Sequence, residues 1–125
     1  YLAGISGKGR GIEGAQVTAQ VCNQTNPWLI GANMLTVYRN SVLYQEIETG
    51  RWAEEGEVEK YEEVKELVSR LDIPVEFAML GASNPVMLRG RLPEHQQQIV
   101  SALDSIIADF GEERLRDYRT SLRHL

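Results

Sequence analysis

Trp28-Leu29-Ile30-Gly31-Ala32-Asn33-Met34-Leu35-Thr36-Val37 is the stretch on which the fold turns. It is nearly continuous in apolar residues, the pattern of a strand buried on both faces of a parallel sheet. Upstream, Ile12, Ala15, Ala19 and Cys22 recur at spacings of three and four, with Val17 and Val21 beside them. That spacing predicts a helix, closed by the polar run Asn23 to Pro27. Before it lie a first apolar run, Tyr1 to Ile5, and a glycine loop, Gly7-Lys8-Gly9-Arg10-Gly11. Downstream, Ser41 is placed to cap a short helix that Gly50 ends. Val58, Tyr61, Val64, Leu67, Val68 and Leu71 form the inner stripe of a helix over 57–71. Pro74 to Leu80 reads as a third strand and Gly81 to Pro85 as a turn. Pro93 suits the first position of another helix, with Ile99, Leu103, Ile106, Ile107 and Phe110 inward and Gly111 at its end. A last helix over 112–124 puts Leu115, Tyr118, Leu122 and Leu125 on one face. Arg114, Arg116, Arg119 and Arg123 lie on its other sides.

Strands that alternate with helices imply an α/β fold with parallel strands and right-handed crossovers. The expected architecture is a partial (β/α) barrel of about three parallel strands, plus C-terminal helices. Three strands are few for an independent parallel sheet. The chain is therefore expected to be one domain, residues 1–125, forming the C-terminal part of a longer barrel whose N-terminal half is its first partner. Strand edges left open in such a piece favour self-association.

The composition narrows the function classes. Among 125 residues, 13 Lys+Arg face 18 Asp+Glu, for a formal charge of −5. The acidic balance argues against nucleic acid as the main partner. No apolar run reaches the length of a bilayer span, and no signal peptide is recognisable, so no membrane role and a cytoplasmic location are expected. The single cysteine, Cys22, excludes an internal disulfide framework and any multi-thiolate metal site built by this chain alone. Residues 46–66 hold nine acids against three bases and read as a solvated helix face.

Gly9-Arg10-Gly11-Ile12-Glu13-Gly14 matches the spacing G-x-G-x-x-G after a strand and before a helix. The second strand has no Asp or Glu at its end to hold a ribose hydroxyl, so the confirming acid of a dinucleotide site is missing. His95 and His124 are isolated and Cys22 lies on an apolar helical face, so all three read as structural. Glu76, inside the third strand, reads as facing either a barrel interior or solvent. In parallel α/β folds ligands sit at the carboxyl ends of the strands. Here those ends are Gly4 to Gly7, Asn33 to Thr36 and Met79 to Asn84, all small or polar.

At these ends the chain resembles the second half of the radical S-adenosylmethionine domain. Tyr1-Leu2-Ala3-Gly4-Ile5-Ser6-Gly7 resembles the family's apolar-Gly-Leu-Pro-Gly-Glu-Thr segment, with Ser6 for the proline and Lys8 for the acid. Leu35-Thr36-Val37-Tyr38-Arg39-Asn40-Ser41-Val42-Leu43-Tyr44 resembles the next strand end, with its Thr/Ser-x-Leu-Tyr helix start. Asp72 to Asn84 resembles the last barrel strand. The likeness covers nearly the whole chain and is closest to the elongator-like and coproporphyrinogen-oxidase-like group. It implies an Fe–S oxidoreductase that cleaves S-adenosylmethionine at a [4Fe–4S] cluster. The Cys-x3-Cys-x2-Cys loop that holds the cluster is absent, so neither cofactor is expected to bind this chain stably on its own. Gly4, Ile5, Leu35, Thr36 and Val37 are the implied cofactor-binding residues, and Asn33 and Asn84 the implied substrate-facing ones. The resemblance assigns no catalytic residue and no metal ligand. Two other readings stand beside it: a stand-alone α/β binding or regulatory module, and a nucleotide-binding enzyme using the Gly7–Gly14 loop.

Overall fold

The structure, a computed structural model, describes residues 1–122; Arg123, His124 and Leu125 lie outside the described residues. Five short strands and four helices follow one another as β1 (Leu2–Ala3), α1 (Gly11–Thr25), β2 (Leu29–Gly31), β3 (Asn33–Met34), α2 (Val42–Glu48), α3 (Glu57–Arg70), β4 (Val75–Met79), β5 (Leu88–Leu92) and α4 (Gln96–Ser121). The chain is mixed α/β. β1 pairs with β3 in parallel, β2 pairs with β4 in parallel, and β5 closes the far side of β4 antiparallel. β2 and β3 are two parts of one extended run. At the join the Ala32 amide donates to Ala78 (2.8 Å) and the Asn33 amide to Tyr1 (3.0 Å).

Three parallel partners thus exist where the sequence places them, but the sheet is not closed among the described residues. The sequence reading missed β5. Its alternation, Leu88-Arg89-Gly90-Arg91-Leu92, has the two-residue period of a half-buried strand. The run lay between an expected turn and Pro93, and the register Val75↔Leu92 to Met79↔Leu88 shows how fully it pairs. The helix expected from Pro93 starts at Gln96 instead.

The central run is also buried on one face only. Ile30, Ala32 and Met34 point into the core with Val75, Phe77, Met79 and Leu92. The alternate residues, Leu2, Leu29, Gly31 and Asn33, are exposed. A side-chain period of two makes that division unavoidable when helices cover one side alone. α3 is the central helix, flanked by α1 and α4. Its predicted stripe holds: Tyr61, Val64, Leu67 and Val68 are inaccessible to solvent. α1 touches it through the small residues Gly11, Ala15 and Ala19, which allow close approach, while Ile12, Val17 and Val21 are exposed. Their apolar periodicity therefore overstates the buried face.

The expected helix stop at Gly111 is a sharp bend inside α4. Gly111 has φ 66° and ψ 177°, backbone angles that cost an L-residue about 1–3 kcal/mol. A Cβ there would meet nothing, so the penalty would come from the backbone alone. Gly111→Ala is expected to lower stability by that amount, read as a reduced denaturation midpoint; an unchanged midpoint would show that the two limbs of α4 straighten without cost.

Candidate functional site

The carboxyl ends of β1, β3 and β4 meet over a buried ion network. Glu57 opens α3 and Lys60 lies one turn further on; both are buried, as is Arg119 on the second limb of α4. Lys60 Nζ donates to Glu57 Oε1 (3.0 Å), Glu54 Oε1 (2.9 Å) and the Leu35 carbonyl (3.2 Å). Arg119 Nη2 donates to Glu57 Oε2 (3.1 Å). Its Nη1 reaches Thr36 Oγ1 (3.1 Å) and the Ser83 carbonyl (2.7 Å). One buried carboxylate therefore serves two buried cations, whose other donors go to strand-end groups and to Glu54. Such charges are tolerated only when fully hydrogen-bonded.

Glu112, just past the Gly111 bend, fastens this arrangement to α3. Its carboxylate accepts from the amides of Glu57 (3.0 Å) and Val58 (2.9 Å), the unpaired donors of the helix start. Burial pushes its pKa up, but those amides and Arg116 outweigh burial and hold it below the ordinary carboxylate value.

The residues expected at the site divide. Thr36 and Val37 line a cleft of about 460 Å³ with Tyr38, Glu54, Arg116 and Arg119. Leu35 is buried and contributes its carbonyl to Lys60. Gly4 and Ile5 do not line this cleft. Gly4 has φ 94°, and a Cβ there would lie 2.8 Å from Lys60 Cε. It is small because the lysine passes over it. Ile5 is exposed at the surface.

Asn84 is buried and fully employed. Its Oδ1 accepts from the Met34 amide (3.2 Å), and its Nδ2 donates to the Ala32 carbonyl (3.1 Å) and to Asn33 Oδ1 (3.3 Å). It thus replaces a neighbouring strand where β2 passes into β3, a supporting role for the sheet. Asn33 faces outward from the sheet and packs on Gly81.

Sequence reasoning missed Glu54, Glu57, Lys60 and Arg119. The acidic run reads as a solvated face, and Arg119 as lying off the apolar side of its helix. Instead Glu55, Glu57 and Glu63 are buried with Lys60 and Arg119. The visible signal was the Glu57/Lys60 spacing of three, which is indistinguishable from an exposed helix pair.

The glycine loop is occupied by the protein itself. The Gly9 amide donates to Glu59 (2.5 Å) and the Lys8 amide to the Ala53 carbonyl (2.8 Å). Glu55 and Glu63 crowd Gly11 so closely that a Cβ there would overlap both carboxylates. An anion brought to the start of α1 would face three acids. A larger open groove of about 890 Å³ runs between α1 and the end of α3 past Gln16, Gln20, Asn23 and Arg70. It is shallow and remote from the strand ends, so the candidate site is the smaller cleft.

Glu76 lies half-buried on the open sheet face with Arg89 and Arg91 near it (3.8 and 3.9 Å). His95 Nδ1 accepts the Arg91 amide (3.0 Å), a structural role. Cys22 is half-buried against the core. Among the described residues no group of His, Cys, Asp and Glu is arranged to hold a metal ion, and no helix is long and apolar enough to cross a membrane. Compared with protein-family models, curated proteins and solved structures, the chain matches none.

Proposed function

We propose that this chain is the C-terminal half of a radical S-adenosylmethionine domain, inactive alone, that supplies one wall of the cofactor and substrate cleft. The observation that carries the reading is the one-sided sheet. Helices cover one face, while Leu2, Leu29, Gly31 and Asn33 leave the other open. β1 is paired on one edge only among the described residues. A barrel wall has this form: helices outside, a bare inner face, and an edge on which preceding strands continue. β5, antiparallel beyond β4, then marks where the wall stops.

The residues present fit one part of the cofactor machinery and not the other. The [4Fe–4S] cluster needs three thiolates and this chain has one cysteine, so the cluster would be held by the N-terminal half. S-adenosylmethionine, when bound to that cluster, supplies the radical that abstracts a substrate hydrogen. On this chain, Thr36, Val37 and Tyr38 border the cleft that would receive its adenosyl part. Arg119 and Lys60 hold the Thr36 hydroxyl and the Leu35 carbonyl in fixed positions. Preorganised polar groups of this kind position a ligand without reorganising on binding. In this reading the protein is cytoplasmic.

The test is anaerobic reconstitution of the full-length gene product with iron and sulfide. Reductive cleavage of S-adenosylmethionine to 5′-deoxyadenosine is expected, with none from the 125-residue chain alone. A full-length product without an upstream three-cysteine loop would overturn the reading.

A further inference from the structure

We propose that Glu55 and Glu63 form a proton-sharing latch that holds residues 51–56 against the glycine loop 7–11, and that loss of the shared proton releases it. Both side chains are buried, Glu55 to 1% and Glu63 to 0% exposure. Buried acids are normally paired with a cation or with several donors. Glu63 has donors: its carboxylate accepts from the Tyr1 hydroxyl and from the Gly4 amide (2.9 Å). Neither Glu55 oxygen has a hydrogen bond of good geometry, and the Gly11 amide acts on it only weakly. The two carboxyl groups converge on Gly11, close enough that neither leaves room for a methyl group there. A proton between them supplies the missing donor and removes one of two like charges.

The surroundings offer no other remedy. α3 presents Glu63 and Glu59, both acids, and Glu59 is already engaged with the amides of Gly9 (2.5 Å) and Gly56 (3.3 Å). The chain before β1 presents the Tyr1 hydroxyl, a donor only to Glu63. On the loop and the first turn of α1, Lys8, Arg10 and Glu13 are exposed. Among the described residues no ion pair includes Glu55, Glu59 or Glu63. Burial first, then the Glu63 carboxyl beside it, then the charges of Glu63 and Glu59, push Glu55 up to about 8, against a weaker opposing effect of the Gly11 amide.

The part that moves is small and identifiable. Residues 51–56 carry no helix or strand. They touch the loop through the Lys8 amide to the Ala53 carbonyl (2.8 Å) and through Trp52, whose ring nitrogen lies where a Cβ on Gly7 would be. An ionised Glu55 is repelled by Glu63 and Glu59 and is drawn to water, and its own segment is the cheapest piece of chain to move with it. The next residue back, Glu54, pairs with Lys60 (2.9 Å), which holds the Leu35 carbonyl. Release therefore reaches the strand-end cleft, and it does so whatever ligand that cleft takes.

Amide hydrogen exchange on the whole chain from pH 6 to 9, corrected for intrinsic rates, reads the latch directly. The Lys8 amide should lose protection as pH rises past the Glu55 titration, by up to about tenfold per pH unit, while amides of Val64 and Leu67 in α3 keep theirs. In Glu55→Gln, whose amide donates to Glu63 without ionising, Lys8 should stay protected throughout. Flat protection in the native chain, or an unchanged pH dependence in Glu55→Gln, overturns the proposal. If Glu55→Gln fails to fold, the ¹³C carboxyl resonance of Glu55 in the native chain decides: a midpoint in the ordinary carboxylate range overturns it, one well above that range supports it.

Discussion

Glu57→Ala is expected to cost about 3–5 kcal/mol, the loss measured when one member of a buried ion pair is removed. The reason is what it leaves behind. Lys60 and Arg119 are both buried, and both are neutralised through Glu57. Lys60 keeps Glu54 (2.9 Å) at the edge of the cleft. Arg119 keeps only neutral acceptors, Thr36 Oγ1 and the Ser83 carbonyl. A guanidinium without a carboxylate in that position draws water or the second limb of α4 outward, and Thr36 loses its anchor. Domains of this size have about 5–15 kcal/mol of stability in total, so the variant sits near unfolding at room temperature. Urea denaturation with an unchanged slope would isolate the effect. The double variant Glu57→Leu with Arg119→Met should recover much of the loss, because it removes buried charges together. A single-variant loss below about 1 kcal/mol, the level of an exposed pair, would show that the network is solvated and does not hold the strand ends.

The same network explains how much of this molecule was legible beforehand. Periodicity revealed α3 almost residue by residue, because Tyr61, Val64, Leu67 and Val68 are buried by a surface spanning the whole helix. Ser41 as a cap was equally local: its Oγ accepts the Tyr44 amide (3.1 Å), three residues away. The bend at Gly111 followed from one residue's backbone freedom. What escaped was anything set by distant partners. Glu57 and Arg119 are 62 positions apart, and nothing in either neighbourhood distinguishes them from surface charges. Gly4, a ligand contact only by the resemblance, has Lys60 passing over it. Asn84, substrate-facing only by the resemblance, uses its amide to complete the backbone pairing of Ala32 and Met34. The apolar run 28–37 predicts a strand buried on both faces. Its composition permits that, but only the placement of the helices decides which alternate residues are covered. Of the expected site, Thr36 and Val37 line the cleft, and the charged residues around them came from the fold.

The pH dependence of folding should carry the signature of Glu55. Its pKa is raised to about 8 in the folded chain, against an ordinary glutamate value of about 4.3. Between these limits the folded state keeps a proton that the unfolded state has released. The unfolded state binds fewer protons, so stability falls as pH rises through this window. The favourable contribution is complete below the unfolded value and exhausted above the folded one. At 1.36 kcal/mol per pKa unit the full span is on the order of a few kcal/mol. Glu112 acts in the opposite sense. Its pKa lies below the ordinary value, so its contribution is present above that value and lost as pH falls through its folded pKa. The native chain should therefore be most stable in mildly acid solution and weaken in both directions. Glu55→Gln removes the alkaline limb and leaves the acid one. The two proteins should be similar near pH 5, and the variant should be the more stable by a margin that widens to pH 8, as read by urea denaturation at each pH. Parallel profiles would mean that the Glu55 carboxyl is already ionised and hydrated in the folded protein. In that case the crowding of two acids against Gly11 would have to be relieved by movement of residues 51–56 at every pH, and the segment would be a permanently open flank of the strand-end cleft.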